Sequence, residues 1–75
     1  MSAREIADAA DMIVAGYAYR WVNDYIEVID INDLDKRAVI QNGQIAESLM
    51  SDEEDDIVML YYERNKDLLE DMRSA

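Results

Sequence analysis

An α+β fold is predicted for this chain by three features. Two serine-led capping boxes, Ser2-Ala3-Arg4-Glu5 and Ser51-Asp52-Glu53-Glu54, open helical patterns at either end. Between them tyrosine, tryptophan, valine and isoleucine gather around two turn dipeptides, Asn23-Asp24 and Asn42-Gly43. The order that follows is an N-terminal helix, two β-hairpins forming a small antiparallel sheet, and a longer, acidic C-terminal helix. Residues 1–75 are read as a single compact domain whose core is one thin layer, since a chain of this length buries only about 60% of the surface its unfolded form exposes.

The first helix is expected to start at Ser2, whose hydroxyl can accept from the backbone of Glu5. Ile6, Ala10, Ile13 and Tyr17 then recur at helical spacing as one apolar stripe, with Glu5, Asp8 and Asp11 on another face. Gly16 is the expected stop, because glycine takes the left-handed conformation that closes a helix.

From Tyr17 to Met50 the alternation is that of strands. Pairing "YAYRWV" with "YIEVIDI" across Asn23-Asp24 sets Trp21 opposite Ile26, Arg20 opposite Glu27 and Tyr19 opposite Val28. One face of that hairpin is then aromatic and aliphatic, a layer for the two helices to cover, and the other carries an opposite-charge pair. Asn42-Gly43 sets Ile40 opposite Ile45 in a second hairpin, and Asn32-Asp33-Leu34-Asp35 is the connection between the two. The alternative is an all-α bundle, because Trp21, Tyr25 and Val28 also fall at helical spacing. Against it stand the β-branched density of the central stretch and the glycine in "QNGQ", which costs a helix roughly 1 kcal/mol relative to alanine.

The run "SDEEDD", residues 51–56, is read as the start of the last helix, where negative charge complements the positive end of the helix dipole. Ile57, Leu60, Tyr61, Leu68 and Met72 continue it as an apolar stripe with Arg64 falling inside. A calcium loop is a poor reading of the same residues. Ile57 occupies the position that must be glycine, and residues two apart on a helix point away from each other. No metal and no cofactor is expected.

Composition narrows the function further. With no histidine and no cysteine, thiolate catalysis, disulfides and sulfur-ligated zinc are excluded. Lys36 and Lys66 lie in charged surroundings that do not depress a lysine pKa, so no enzymatic site is expected. The N-terminus carries Glu5, Asp8 and Asp11 where a signal peptide would be apolar, and the chain is read as soluble, cytoplasmic and free of membrane contact. Seven basic residues among 18 acidic ones make no patch for direct nucleic-acid binding.

The charge itself is the most informative feature. Of the net −11, −6 falls on residues 51–75. There Asp56, Glu63, Asp67 and Glu70 are spaced to form one row along a helix, with Asp52 and Glu53 in the first turn ahead of them. Near neighbours in such a row lie roughly 5 to 6 Å apart, close to the charge spacing of a nucleic-acid strand. In size and charge alone, with no shared motif, the chain resembles the small acidic nucleic-acid mimics with which phages and mobile elements inhibit restriction enzymes, guided nucleases and other DNA-binding proteins. That resemblance implies a basic, nucleic-acid-binding protein surface as partner and inhibition as the function. The expected contact comprises Asp52, Glu53, Asp56, Glu63, Asp67, Glu70 and the neighbouring Tyr62. The alternative is a homo-oligomeric structural or regulatory module whose acidity serves solubility, with Tyr62 and Met59 at the centre of a homodimer contact.

Overall fold

The computed structural model of the chain describes residues 2–74. Along the chain come α1 (Ala3–Ala9), β1 (Met12–Val14), β2 (Tyr17–Val22), β3 (Tyr25–Asp30), β4 (Asp33–Gln41), β5 (Gln44–Ser48) and α2 (Asp52–Ser74). The strands form a single antiparallel meander in the order β1-β2-β3-β4-β5. The fold is α+β, and the all-α alternative is overturned.

Both expected hairpins are present in the expected register. Trp21 stands opposite Ile26, Arg20 opposite Glu27 and Tyr19 opposite Val28, and Ile40 stands opposite Ile45. The second turn works because Asn42 and Gly43 both take positive φ, 56° and 79°, which matches the turn to the twist of its strands. The two hairpins are continuous with each other. Residues 32–35 are not a free connection, because Asp33 already pairs with Asp30 and the turn closes on Ile31 and Asn32. The Asp30 carboxylate accepts from the Asn32 backbone at 2.8 Å and supplies the turn's local hydrogen bond.

The N-terminal segment departs from the expected pattern. Ser2 caps α1 as read, its hydroxyl accepting from Glu5 N at 3.2 Å. The helix nevertheless ends at Ala9, and residues 12–14 form a fifth strand. Asp11 is the reason: its backbone N–H donates to Tyr19 O at 2.9 Å, and its carboxylate accepts from Trp21 N at 2.8 Å. Two bonds to the edge of β2 outweigh another turn of helix, and the β-branched Ile13 and Val14 suit the strand that follows. Gly16 acts in a hairpin turn and not as a helix stop. Ala15 and Gly16, at φ 53° and 82°, are the central residues of a turn like that at Asn42-Gly43.

The two helices lie on opposite faces of the sheet, not on one. On one face α1 sets Ile6 and Ala10 against Ala18 and Ile29, with Ile31 and Leu34 at the margin. On the other α2 packs Val58, Tyr62 and Leu69 against Tyr17, Tyr19, Ile26, Val28, Ala38 and Ile40. The alternation of β2 produces this division: Tyr17, Tyr19 and Trp21 point to α2, whereas Ala18 and Arg20 point to the α1 side, where Arg20 pairs with Glu27 at 3.3 Å.

Alanine at a left-handed position is strained by about 1 to 2 kcal/mol, whereas asparagine tolerates it. Ala15 is exposed, so a larger polar side chain there meets solvent. Ala15→Asn is expected to raise unfolding stability by about 1 kcal/mol, read from urea denaturation. An unchanged or lowered midpoint would mean that the β1–β2 turn is not formed as described.

Candidate functional site

The rotation of α2 about its own axis decides which side chains reach solvent. Val58 and Leu69 are fully buried and Tyr62 is 8% exposed, whereas Ile57, Leu60, Leu68 and Met72 are 40%, 48%, 47% and 39% exposed. Four of the five residues of the apolar stripe read from the sequence therefore lie on the outside, and the fifth, Tyr61, is partly buried against the core. The core-facing stripe is Val58, Tyr62 and Leu69, with Asn65 half-buried among them, its amide donating to Tyr61 O at 2.9 Å. At about 100° per residue the two stripes are roughly a third of a turn apart.

Two hydrogen bonds from β2 hold this rotation. The Tyr19 hydroxyl, buried, donates to Val58 O at 2.8 Å, and Trp21 Nε1 donates to Leu69 O at 2.7 Å. Burial pushes the Tyr19 phenol well above its ordinary pKa, so it remains a donor throughout the working pH range. The Arg73 guanidinium lies over the Trp21 ring at 4.7 Å and covers the far end of the contact.

The acidic residues divide into two sets. Glu54 accepts from Lys36 Nζ at 3.0 Å, and Asp55 accepts from the Ser48 hydroxyl at 2.5 Å. These two pin the start of α2 to the sheet. Ser51 caps the helix as expected, accepting from Glu54 N at 3.2 Å. Asp52, Glu53 and Asp56, from the same run, are exposed, as are Glu63, Asp67 and Glu70 farther along. Lys66 sits 3.5 Å from Glu63, an exposed pair of the kind that contributes little. Glu70 borders a shallow recess shared with Trp21, Asp24, Asn42 and Arg73. Among the described residues no three acidic side chains are grouped so as to hold a metal ion.

Tyr62 does not join the exposed row. It packs with Tyr19, Ile26 and Ile40 in the main core cluster, and Met59 lies partly buried against the same cluster. Tyr62 is therefore not at the surface, where the exposed large apolar side chains of α2 are Ile57, Leu60, Leu68 and Met72. One signal in the sequence pointed this way: Arg64 falls inside the outer stripe, and its guanidinium rests 6.0 Å from the Tyr61 ring at the surface.

A family model described as a family of unknown function, DUF7723, matches residues 1–69. The chain belongs to the DUF7723 family. The match runs from before α1 through the meander to Leu69, the last residue of the core stripe of α2. No curated protein and no solved structure matches the chain. Among the described residues no helix is long and apolar enough to cross a membrane.

The Lys36–Glu54 contact has a pH signature. The hydrogen bond from Lys36, and then its charge, hold the Glu54 carboxyl below its usual value. A carboxyl depressed in the folded state contributes stability that is present above its unfolded pKa and lost as pH falls through the folded one. Glu54→Gln is therefore expected to lower stability at neutral pH and to narrow its deficit relative to the parent as pH drops toward about 3. Urea midpoints of both proteins across that range check it. A deficit that stays constant with pH would contradict an ionised contact.

Proposed function

We propose that this protein is a non-enzymatic, cytoplasmic interaction module that binds a basic protein surface through the outer side of α2. In its sharper form, it inhibits that partner by occupying a surface shaped for nucleic acid. The reading is carried by the division among the acids. Glu54 and Asp55, which have work to do in the fold, turn inward to Lys36 and Ser48. Asp52, Glu53, Asp56, Glu63, Asp67 and Glu70 turn to solvent on one long helix.

Electrostatics favours a cationic partner by sign and gives it a fast, salt-sensitive approach. The row adds pitch to sign, since Glu63, Asp67 and Glu70, on successive turns, lie roughly 5 to 6 Å apart, a spacing that a groove lined for phosphates can engage, with Asp56 two turns ahead of them. A single helix laid along one face of a small sheet presents that row to such a groove. Nothing in this mode requires a catalytic group, a metal or a cofactor.

The test is a quadruple variant, Asp56→Asn, Glu63→Gln, Asp67→Asn and Glu70→Gln, compared with the parent in pull-downs from host lysate at low and high ionic strength. The parent is expected to retain a basic protein at low salt and release it at high salt, and the variant to retain none. Thermal unfolding of the variant should be unchanged or slightly improved, because like charges three and four residues apart on a helix repel by a few tenths of a kcal/mol. Undiminished capture by the variant would remove the acidic row from the contact.

A further inference from the structure

The outer side of α2 carries more than charge. Ile57, Leu60, Leu68 and Met72 stand 39–48% exposed along it, whereas Val58, Tyr62 and Leu69 of the same helix are buried in the core and Met59 and Tyr61 are partly buried against it. Four such residues on one stripe are not needed by the core, which is closed without them. From Ile57 to Met72 the stripe runs about 22 Å along the helix. One flank is the sheet. The other is acidic: by helical rotation Glu53, Asp67 and Asp71 fall at the longitude of Leu60, and Asp56 and Glu63 lie just beyond.

We infer that this face is a docking strip for an amphipathic, basic helix of a partner protein, about four turns long, whose apolar residues lie on Ile57, Leu60, Leu68 and Met72 and whose lysines and arginines reach the acidic flank. It rests on the reading that the partner is basic and adds what that reading leaves open, an apolar half to the contact. A helix laid along a helix presents apolar residues three and four apart on one face, and Ile57 with Leu60, three apart, and Leu68 with Met72, four apart, match that spacing in two patches. Arg64 interrupts the strip between Leu60 and Leu68 and divides it into two apolar patches, which sets the register of whatever covers them. Because the acids border one side only, the basic residues of the partner belong on one flank of its apolar face.

The sign of the charge selects this occupant over others. A nucleic-acid backbone and an anionic lipid surface carry the same sign as the acidic flank and are repelled. A second copy is disfavoured by geometry as well as by charge. Two α2 helices packed antiparallel about a two-fold axis place their acidic flanks on the same side of the contact, where like charges oppose each other. A purely electrostatic contact would leave four large apolar side chains exposed on the face it uses.

Three synthetic peptides separate these possibilities. The first is a leucine–lysine helix of about fifteen residues with all leucines on one face. The second has the same composition rearranged so that no helical face is apolar, and the third is oligolysine. Binding is followed by anisotropy of a labelled peptide. The parent is expected to bind the amphipathic helix at least about tenfold more tightly than the rearranged one, since two or more half-exposed side chains are covered only by the former. Leu60→Gln with Leu68→Gln, both at exposed positions, should abolish that preference and leave oligolysine binding as it was. Equal affinity of the parent for the two leucine–lysine peptides, or a preference that survives the double substitution, would overturn the inference. So would a parent that sediments as a dimer and becomes a monomer in the double variant, because the strip is then occupied by a second copy. Failure of the underlying basic-partner reading looks different: the quadruple acid variant would hold oligolysine as tightly as the parent does.

Discussion

Two side-chain hydrogen bonds from one face of one strand set the orientation of the C-terminal helix, and the chemistry of the outer surface follows from them. Tyr19 and Trp21 are alternate residues of β2, so both point to α2. Their acceptors, Val58 O and Leu69 O, are separated by eleven residues, very nearly three turns, and so lie on the same side of the helix. A helix bound at two such points cannot rotate without leaving the buried Tyr19 phenol unmet, at about 1 to 3 kcal/mol, and breaking the bond of the half-buried Trp21 indole. Hydrophobic burial alone would not choose so clearly, because α2 carries two apolar stripes about a third of a turn apart.

The same constraint distributes the charge. Once Val58 faces the sheet, Glu54 and Asp55 fall beside Lys36 and Ser48 at the sheet's end, and the remaining acids of the helix face solvent. The protein thus combines a hydrogen-bonded edge, where Glu54 pairs with Lys36 and Asp55 accepts from Ser48, with a strongly anionic outer face on one continuous element. Burial, and after it the neighbouring Glu54 and Asp30 carboxylates, push the Tyr17 phenol up, so the tyrosines of β2 stay neutral beneath this anionic helix. On that outer face four exposed apolar residues sit beside the acids, and the pairing of the two chemistries motivates an amphipathic partner in place of a purely charged one.

Legibility in the sequence followed how local the deciding interaction is. The β2–β3 and β4–β5 registers were readable because Asn23-Asp24 and Asn42-Gly43 sit between alternating runs and fix their own pairing. Both serine caps were readable for the same reason, each being complete within four residues. β1 was not, since Ile6, Ala10, Ile13 and Tyr17 satisfy a helical period, and the competing bonds from Asp11 to Tyr19 and Trp21 are non-local. The facing of α2 is hidden in the sequence for a related reason. Ile57, Leu60, Leu68 and Met72 outnumber Val58, Tyr62 and Leu69, and only the ties to β2 give the smaller set the core. Arg64 within the larger set was the one local sign of its exposure. The exposed acids were readable as a row, whereas Tyr62, grouped with them, belongs to the core stripe.

The orientation of α2 can be measured directly, because the chain has no cysteine and any introduced thiol reports a single position. Leu60→Cys, Leu68→Cys, Val58→Cys and Leu69→Cys would be compared for their rates of modification by a thiol reagent under native conditions, each referenced to its own rate in urea. Thiols at positions 60 and 68 are predicted to react nearly as fast as in the unfolded chain, and those at 58 and 69 to be protected by about a hundredfold or more, reacting only through opening of the helix from the sheet. The reverse pattern, with 60 and 68 protected and 58 and 69 open, would contradict the account, since α2 would then be turned onto its other stripe and the acidic, apolar face would not be at the surface.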